Sequence, residues 1–255
     1  MTVSAEPDRR VGGSTRPGRR VDERHRARRL HRDAVLDAWS ELHGGIDPRA
    51  SFWVERWVLL SSACARPLVR LGVTPNVITV CGAAGTAIAF AVSFAGGGWY
   101  AVAALVILLA AVLDGVDGAI AAQTGTATQW GRVLDTMADR WSDIFLAGIV
   151  VMAGAPPWLG VVIAVLTLFL EGTRATAQAA GMNGPGTVTV WERPSRVILA
   201  FVAMIVATVM WAIGVSDGTA GVLTAIIAGT GAILAMIGLL QLFVAVFRQT
   251  RGRHA

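Results

Sequence analysis

Asp114, Asp117, Asp135 and Asp139 are the residues of this chain with the most chemistry in them, because they interrupt segments otherwise composed for lipid. They fall within "LDGVDGAIAAQTGTATQWGRVLDTMADRWSD", Leu113 to Asp143. An ionised carboxylate at the centre of a spanning helix costs at least about 2.5 kcal/mol, so an unpaired set of four is not tolerated without a purpose. Asp114 and Asp117 are spaced i, i+3, and Asp135 and Asp139 i, i+4, so each pair lies on one helix face. Two antiparallel neighbours joined by a short loop would aim all four at one point. The chain has no Lys, and Arg132 and Arg140 are too few to neutralise four anions. Oxygen-only ligands favour Mg²⁺ or Mn²⁺, and two such ions would balance the charge. A two-metal site suits displacement at phosphorus, where it clamps the phosphoryl oxygens and the leaving group. Gly115, Gly118, Ala119 and Ala121 leave room for a phosphate ligand against the helix. The alternative, polar residues that merely glue a helix bundle, accounts poorly for four acids at one depth.

The elements that must hold these acids are membrane helices. The chain has 255 residues, 54% hydrophobic and only 15% charged, with a mean hydropathy of +0.58. A soluble domain carries about 25% charged residues. Between Arg70 and Asp114 no residue is charged, whereas ten arginines precede Val35. The expected fold class is an all-α integral membrane protein, with six transmembrane helices preceded by an interfacial amphipathic helix. The spans fall near 75–95, 99–121, 131–153, 157–180, 195–214 and 220–246, each long enough for a hydrocarbon core of about 30 Å. "AGGGW", "GAPPW" and "GVSDG" are the turns on one side. The arginine-bearing segments all fall on the other, which places both termini in the cytoplasm of a multi-pass membrane protein.

This reading divides the chain into a disordered Arg-rich tail (1–32), an amphipathic juxtamembrane region (33–72), the six-helix domain (73–247) and a short basic tail (248–255). In the second region, "FWVERWVLLSSACARPLVRL" sets Phe52, Trp53, Trp57, Leu59 and Leu60 beside Arg56, Arg66 and Arg70, as a helix lying in the interface does. No apolar segment of a cleavable signal follows the N-terminal arginines. The pI near 10.8 does not indicate nucleic acid, since the basic residues mark the tail and one set of loops. Cys64 and Cys81 lack metal or disulfide spacing and read as small apolar residues.

The acids also carry a family resemblance. Asp114, Asp117, Gly118 and Ala121 form D-x2-D-G-x2-A, and Gly131, Asp135 and Asp139 form G-x3-D-x3-D. With "TPNVIT" at the first span, this resembles the CDP-alcohol phosphatidyltransferase family over residues 70–250. The resemblance implies a six-helix, usually homodimeric membrane enzyme. It would transfer a phosphatidyl group from CDP-diacylglycerol to a small alcohol and release CMP, using two Mg²⁺ or Mn²⁺ ions per site. It further implies that Asp114, Asp117 and Asp135 ligand one ion, that Asp114, Asp135 and Asp139 hold the other, and that Asp139 is the general base. Asn76, Val77, Ile78, Thr79, Gly118, Thr128 and Gly131 would bind the CDP-lipid. Thr74 and Pro75 independently read as an N-cap and first-turn proline, which sets Asn76 at the cytoplasmic mouth. One departure stands out: Ala122 replaces the arginine that follows the motif alanine in the family.

Arg174, Arg193 and Arg196 are the expected acceptor-binding residues, since guanidinium groups grip phosphate bidentately. The pattern Glu192–Arg193 to Arg196 resembles actinobacterial phosphatidylinositol phosphate synthases, which implies a phosphorylated polyol such as inositol phosphate as acceptor. Thr176 and Gln178 depart from that subgroup, which usually has Arg and Glu there. A phosphatidylglycerophosphate-type synthase is the alternative, though its G-K-x-K-T signature is missing. A divalent-cation transporter should carry its acids near the midplane and show repeats, and neither is evident. A non-catalytic lipid-binding relative is suggested by Ala122 alone. Asp143 extends the acidic row and reads as structural.

Overall fold

A computed structural model describes residues 32–41, 45, 47–182, 184 and 186–251. The Arg-rich tail, but for Arg32, and the last four residues lie outside them. All regular structure among the described residues is helical. Residues 32–41 form a helix, and a short 3₁₀ turn, Pro48–Ala50, leads into α1 (Phe52–Arg70). There follow α2 (Pro75–Ser93), α3 (Trp99–Thr124), α4 (Gln129–Met152), α5 (Pro157–Ala179), α6 (Arg193–Ala212) and α7 (Asp217–Thr250).

Five of these, α2, α3, α5, α6 and α7, are long and apolar enough to cross a membrane. The protein is therefore a multi-pass membrane protein. The expected third span falls on α4, which fails that compositional measure because it carries Arg132, Asp135, Asp139, Arg140 and Asp143. At 34 residues α7 is about 51 Å long at about 1.5 Å per residue, well beyond the expected 220–246. The fifth span begins at Arg193 rather than 195, because Glu192 occupies the N-cap and Pro194 the first turn.

Close packing runs on small residues. The main core gathers Ala89, Ala103, Ala104, Ala147, Ala200, Ala203, Ala228 and Ala235 around Ile107, Ile149, Leu170 and Met204. Lipid is as apolar as a leucine side chain, so association here rests on close backbone approach and not on apolar burial. Many large apolar side chains, Leu105, Leu109, Phe169, Ile226 and Phe243 among them, point outward. A second, smaller cluster of Ala65, Ile78, Val116 and Ile120 ties α1 and α2 to the end of α3 that holds the acids. On α1 the buried face is Val58, Ser61, Ser62 and Ala65, while Phe52, Trp53 and Leu60 are exposed.

Candidate active site

The acids do converge, but not through contact between the two helices that carry them. α3 and α4 share no extensive packing of their own; each packs instead against α2 and α6. The space between α3 and α4 is the site, with α2 as one wall and α6 as the other.

Local sequence sets the geometry. α3 stops at Gly125, whose left-handed backbone (φ 64°, ψ 22°) suits a residue without Cβ. Thr128 then caps α4, its Oγ1 accepting from the Gly131 amide at 2.9 Å. This tight reversal brings carboxylate oxygens of Asp114, Asp135 and Asp139 within 4.8 Å of one another. Asp117 is buried one turn on, its Oδ2 accepting from Thr79 Oγ1 at 2.6 Å and its Oδ1 from the Gly118 amide at 2.6 Å.

α6 adds a cation. Arg193 sets Nη2 2.6 Å from Asp114 Oδ1 and Nη1 against Asp139 Oδ1. Sequence reasoning assigned Arg193 to the acceptor; the structure places it across the carboxylates themselves. A cluster that draws a guanidinium between its members is one where positive charge is held favourably. The donors are all hard oxygen, so the residues present fit a divalent cation such as Mg²⁺ or Mn²⁺.

The other expected site residues divide. Asn76 and Thr128 line one cavity of about 320 Å³ with Thr74, Pro75, Thr124 and Thr126. Gly131 borders it so closely that a methyl there would stand 3.1 Å from both Asn76 Oδ1 and Thr128 Oγ1. Val77 instead faces outward, Ile78 packs in the small apolar cluster, and Thr79 holds Asp117. Gly118 and Ala122 line a different cavity, of about 210 Å³, beneath the helix of residues 32–41 and beside Trp57 and Ser61.

Arg174 and Arg196 are engaged with carboxylates. Arg174 donates from Nη1 and Nη2 to Glu192 at 3.0 and 2.7 Å. Glu192 Oε1 also accepts from the Thr189 amide and hydroxyl. Burial alone would raise the Glu192 carboxyl, but Arg174 and Thr189 outweigh it and hold it below its ordinary 4.5. Arg196 is buried, donating to Asp143 Oδ2 (2.9 Å), Glu171 Oε1 (2.5 Å) and the Trp191 carbonyl (3.0 Å). Asp143, which extends the acidic row, is thus paired with Arg196. Glu171 was not singled out from the sequence, and Arg140 only as one of two counter-charges too few for four acids. The i, i+3 step from Arg140 to Asp143 was the available signal.

The profile of the CDP-alcohol phosphatidyltransferase family matches residues 72–237. The chain belongs to that family. As a CDP-alcohol phosphatidyltransferase it is a membrane transferase of phospholipid synthesis, and its matched region contains every acid of the cluster. It is 29% identical over 181 residues to the phosphatidylinositol phosphate synthase of Mycobacteroides abscessus, covering 64% of this chain and 80% of that protein. It is also 29% identical over 139 residues to the archaetidylinositol phosphate synthase of Pyrococcus horikoshii, with 54% and 72% covered. Among solved structures it resembles Mycobacterium tuberculosis phosphatidylinositol phosphate synthase with CDP-DAG bound. That match has a TM-score of 0.61 and 25% identity, over 76% of this chain and 98% of the other. A second structure of that synthase, in complex with manganese and citrate, matches with the same TM-score and identity over 76% and 93%.

Proposed function

We propose that this transferase moves the phosphatidyl group of CDP-diacylglycerol to a phosphorylated polyol, inositol phosphate being the favoured acceptor. The observation that carries the reading is the convergence of Asp114, Asp135 and Asp139 beside buried Asp117, with Arg193 of the second cytoplasmic cluster at the same point. The names of the similar synthases support the acceptor. The four aspartates would hold two divalent ions, Mg²⁺ or Mn²⁺, which supply charge stabilisation to the phosphoryl oxygens.

In the step itself, Asp139 takes the proton from the acceptor hydroxyl as that oxygen attacks the phosphorus bearing the diacylglycerol. A new P–O bond to the acceptor forms, the P–O bond to CMP breaks, and CMP leaves with the bonding pair. Asn76 and Thr128, with Gly131 at the rim of their cavity, line the nucleotide. Gly118 leaves the approach to the motif helix clear, since nothing lies within 4 Å of where its Cβ would be.

The same reading has α4 as the sixth crossing, its acids tolerated because they face the site. It lays residues 32–41 and α1 in the cytoplasmic interface, sets both termini in the cytoplasm of a bacterial cell and takes the enzyme as a homodimer. Incubating the purified protein with labelled CDP-diacylglycerol and a panel of alcohols tests it. The expected lipid product is phosphatidylinositol phosphate, formed only with a divalent cation. Product from glycerol phosphate or an unphosphorylated alcohol, with none from inositol phosphate, would overturn the acceptor.

A further inference from the structure

We propose that Arg140 is a phosphate-gripping residue of the acceptor site, paired with Arg193 across Asp139, while Arg174 and Arg196 serve as struts. This rests on the reading of the acceptor as a phosphorylated alcohol.

The assignment comes from where each guanidinium spends its five N–H donors. Arg174 gives both terminal nitrogens to Glu192, whose carboxylate also takes two donors from Thr189. Arg196 is only 4% exposed and is divided among Asp143, Glu171 and the Trp191 carbonyl. Each leaves only Nε as a buried donor without a partner. Drawing either toward a phosphate would strand a carboxylate that is itself largely or wholly buried, a costly exchange. Both therefore hold the chain segment before α6 in place. Glu192 and Trp191 immediately precede Arg193, and Trp191 is fixed again by Nε1 donating to Thr167 Oγ1 at 2.8 Å.

Arg140 is differently placed. Its contacts are to Asp139 Oδ2 at 3.8 Å, Asp143 Oδ2 at 3.7 Å and Glu171 Oε2 at 3.5 Å. These distances are those of loose ion pairs. Its Nε and Nη1 are buried without a hydrogen-bond partner. Unpaired buried donors are uncommon, and two on one partly exposed guanidinium leave capacity for the acceptor atoms of a ligand. Its side chain remains 26% exposed, so a ligand can reach it.

Asp139 stands between two guanidiniums, Arg193 on Oδ1 and Arg140 toward Oδ2. A phosphate bridging them would lie beside the carboxylate that takes the hydroxyl proton. One anchor would then fix both the phosphate of the acceptor and the approach of its hydroxyl.

Full-length protein in detergent, with Mg²⁺, CDP-diacylglycerol and inositol phosphate, decides the matter. Arg140→Gln is expected to raise the acceptor KM at least tenfold, far more than kcat falls, with the donor KM within threefold. Calorimetric titration of inositol phosphate in the presence of Mg²⁺ and CMP should show the same weakening. Arg140→Lys, which keeps the charge but not the planar fork, should recover part of the loss. Arg196→Lys should lower the melting temperature while the acceptor KM of the folded protein stays within threefold. An acceptor KM and affinity within threefold of wild type in folded Arg140→Gln would overturn the proposal. So would an equal weakening in Arg196→Lys. Should Arg140→Gln not fold, Arg140→Lys decides by the same threefold limit. Failure of the underlying reading looks different: the wild-type protein itself would show neither turnover nor heat with inositol phosphate.

Discussion

In the proposed mechanism Asp139 has two duties, metal ligation and proton acceptance, and a single substitution separates them. Asp139→Asn keeps the size and one ligating oxygen but cannot accept the hydroxyl proton. Turnover should fall by about 10²–10⁴, the usual worth of a positioned base, while CDP-lipid binding stays within a few-fold by titration. Thr79 has the complementary role, since it donates to Asp117 Oδ2 from within the helix wall. Thr79→Val should weaken Mn²⁺ binding about 10- to 100-fold, the usual cost of losing an outer-shell partner, and Thr79→Ser should restore it. A Thr79→Val protein with wild-type Mn²⁺ affinity would return Thr79 to the lining role its position suggested. The acids were legible in sequence because their spacing is local and obeys the helical period. The Thr79–Asp117 bond and the Arg193 bridge were not, because they join residues on different helices and leave no periodic trace.

Helix by helix, small residues decide how near the site walls approach. A methyl at Gly115 would stand 2.6 Å from Ser61 Oγ and 2.9 Å from Trp57 Nε1, both on α1. Gly115→Ala should therefore cost about 1–3 kcal/mol of stability, read as a lower melting temperature in detergent. Gly118→Ala, where the space is open, should melt like wild type and affect the donor KM instead. The Glu192–Arg174 pair before α6 has its own signature. Because the folded carboxyl lies below its ordinary 4.5, its contribution is whole above that value and is lost as pH falls through the depressed one. Thermal stability of wild type should thus fall faster than that of Glu192→Gln between about pH 5 and pH 3, a range set by the usual glutamate value. Parallel curves would remove Glu192 from that role. The glycine punctuation at Gly125, the cap at Thr128 and the first-turn proline Pro75 make helix ends readable to within a few residues. The extension of α7 was hidden, since apolar periodicity simply fades into "FRQT" with no stop signal.

At the scale of the molecule, the helical membrane architecture followed from composition alone, because apolar stretches of this length have few other uses. What composition could not supply is the arrangement around the acids. The short loop makes α3 and α4 neighbours along the chain, yet it is α2 and α6 that each of them packs against. The gap between them is the reason a site exists at all, since packed neighbours would bury the acids against each other. The proposed transfer requires this space to be a two-metal centre. Anomalous diffraction from crystals of the full chain grown with Mn²⁺ tests it most directly. Two peaks should lie among Asp114, Asp117, Asp135 and Asp139, with the Arg193 guanidinium displaced from Asp114. A single ion or none among those carboxylates, with Arg193 still bridging Asp114 and Asp139, would contradict it.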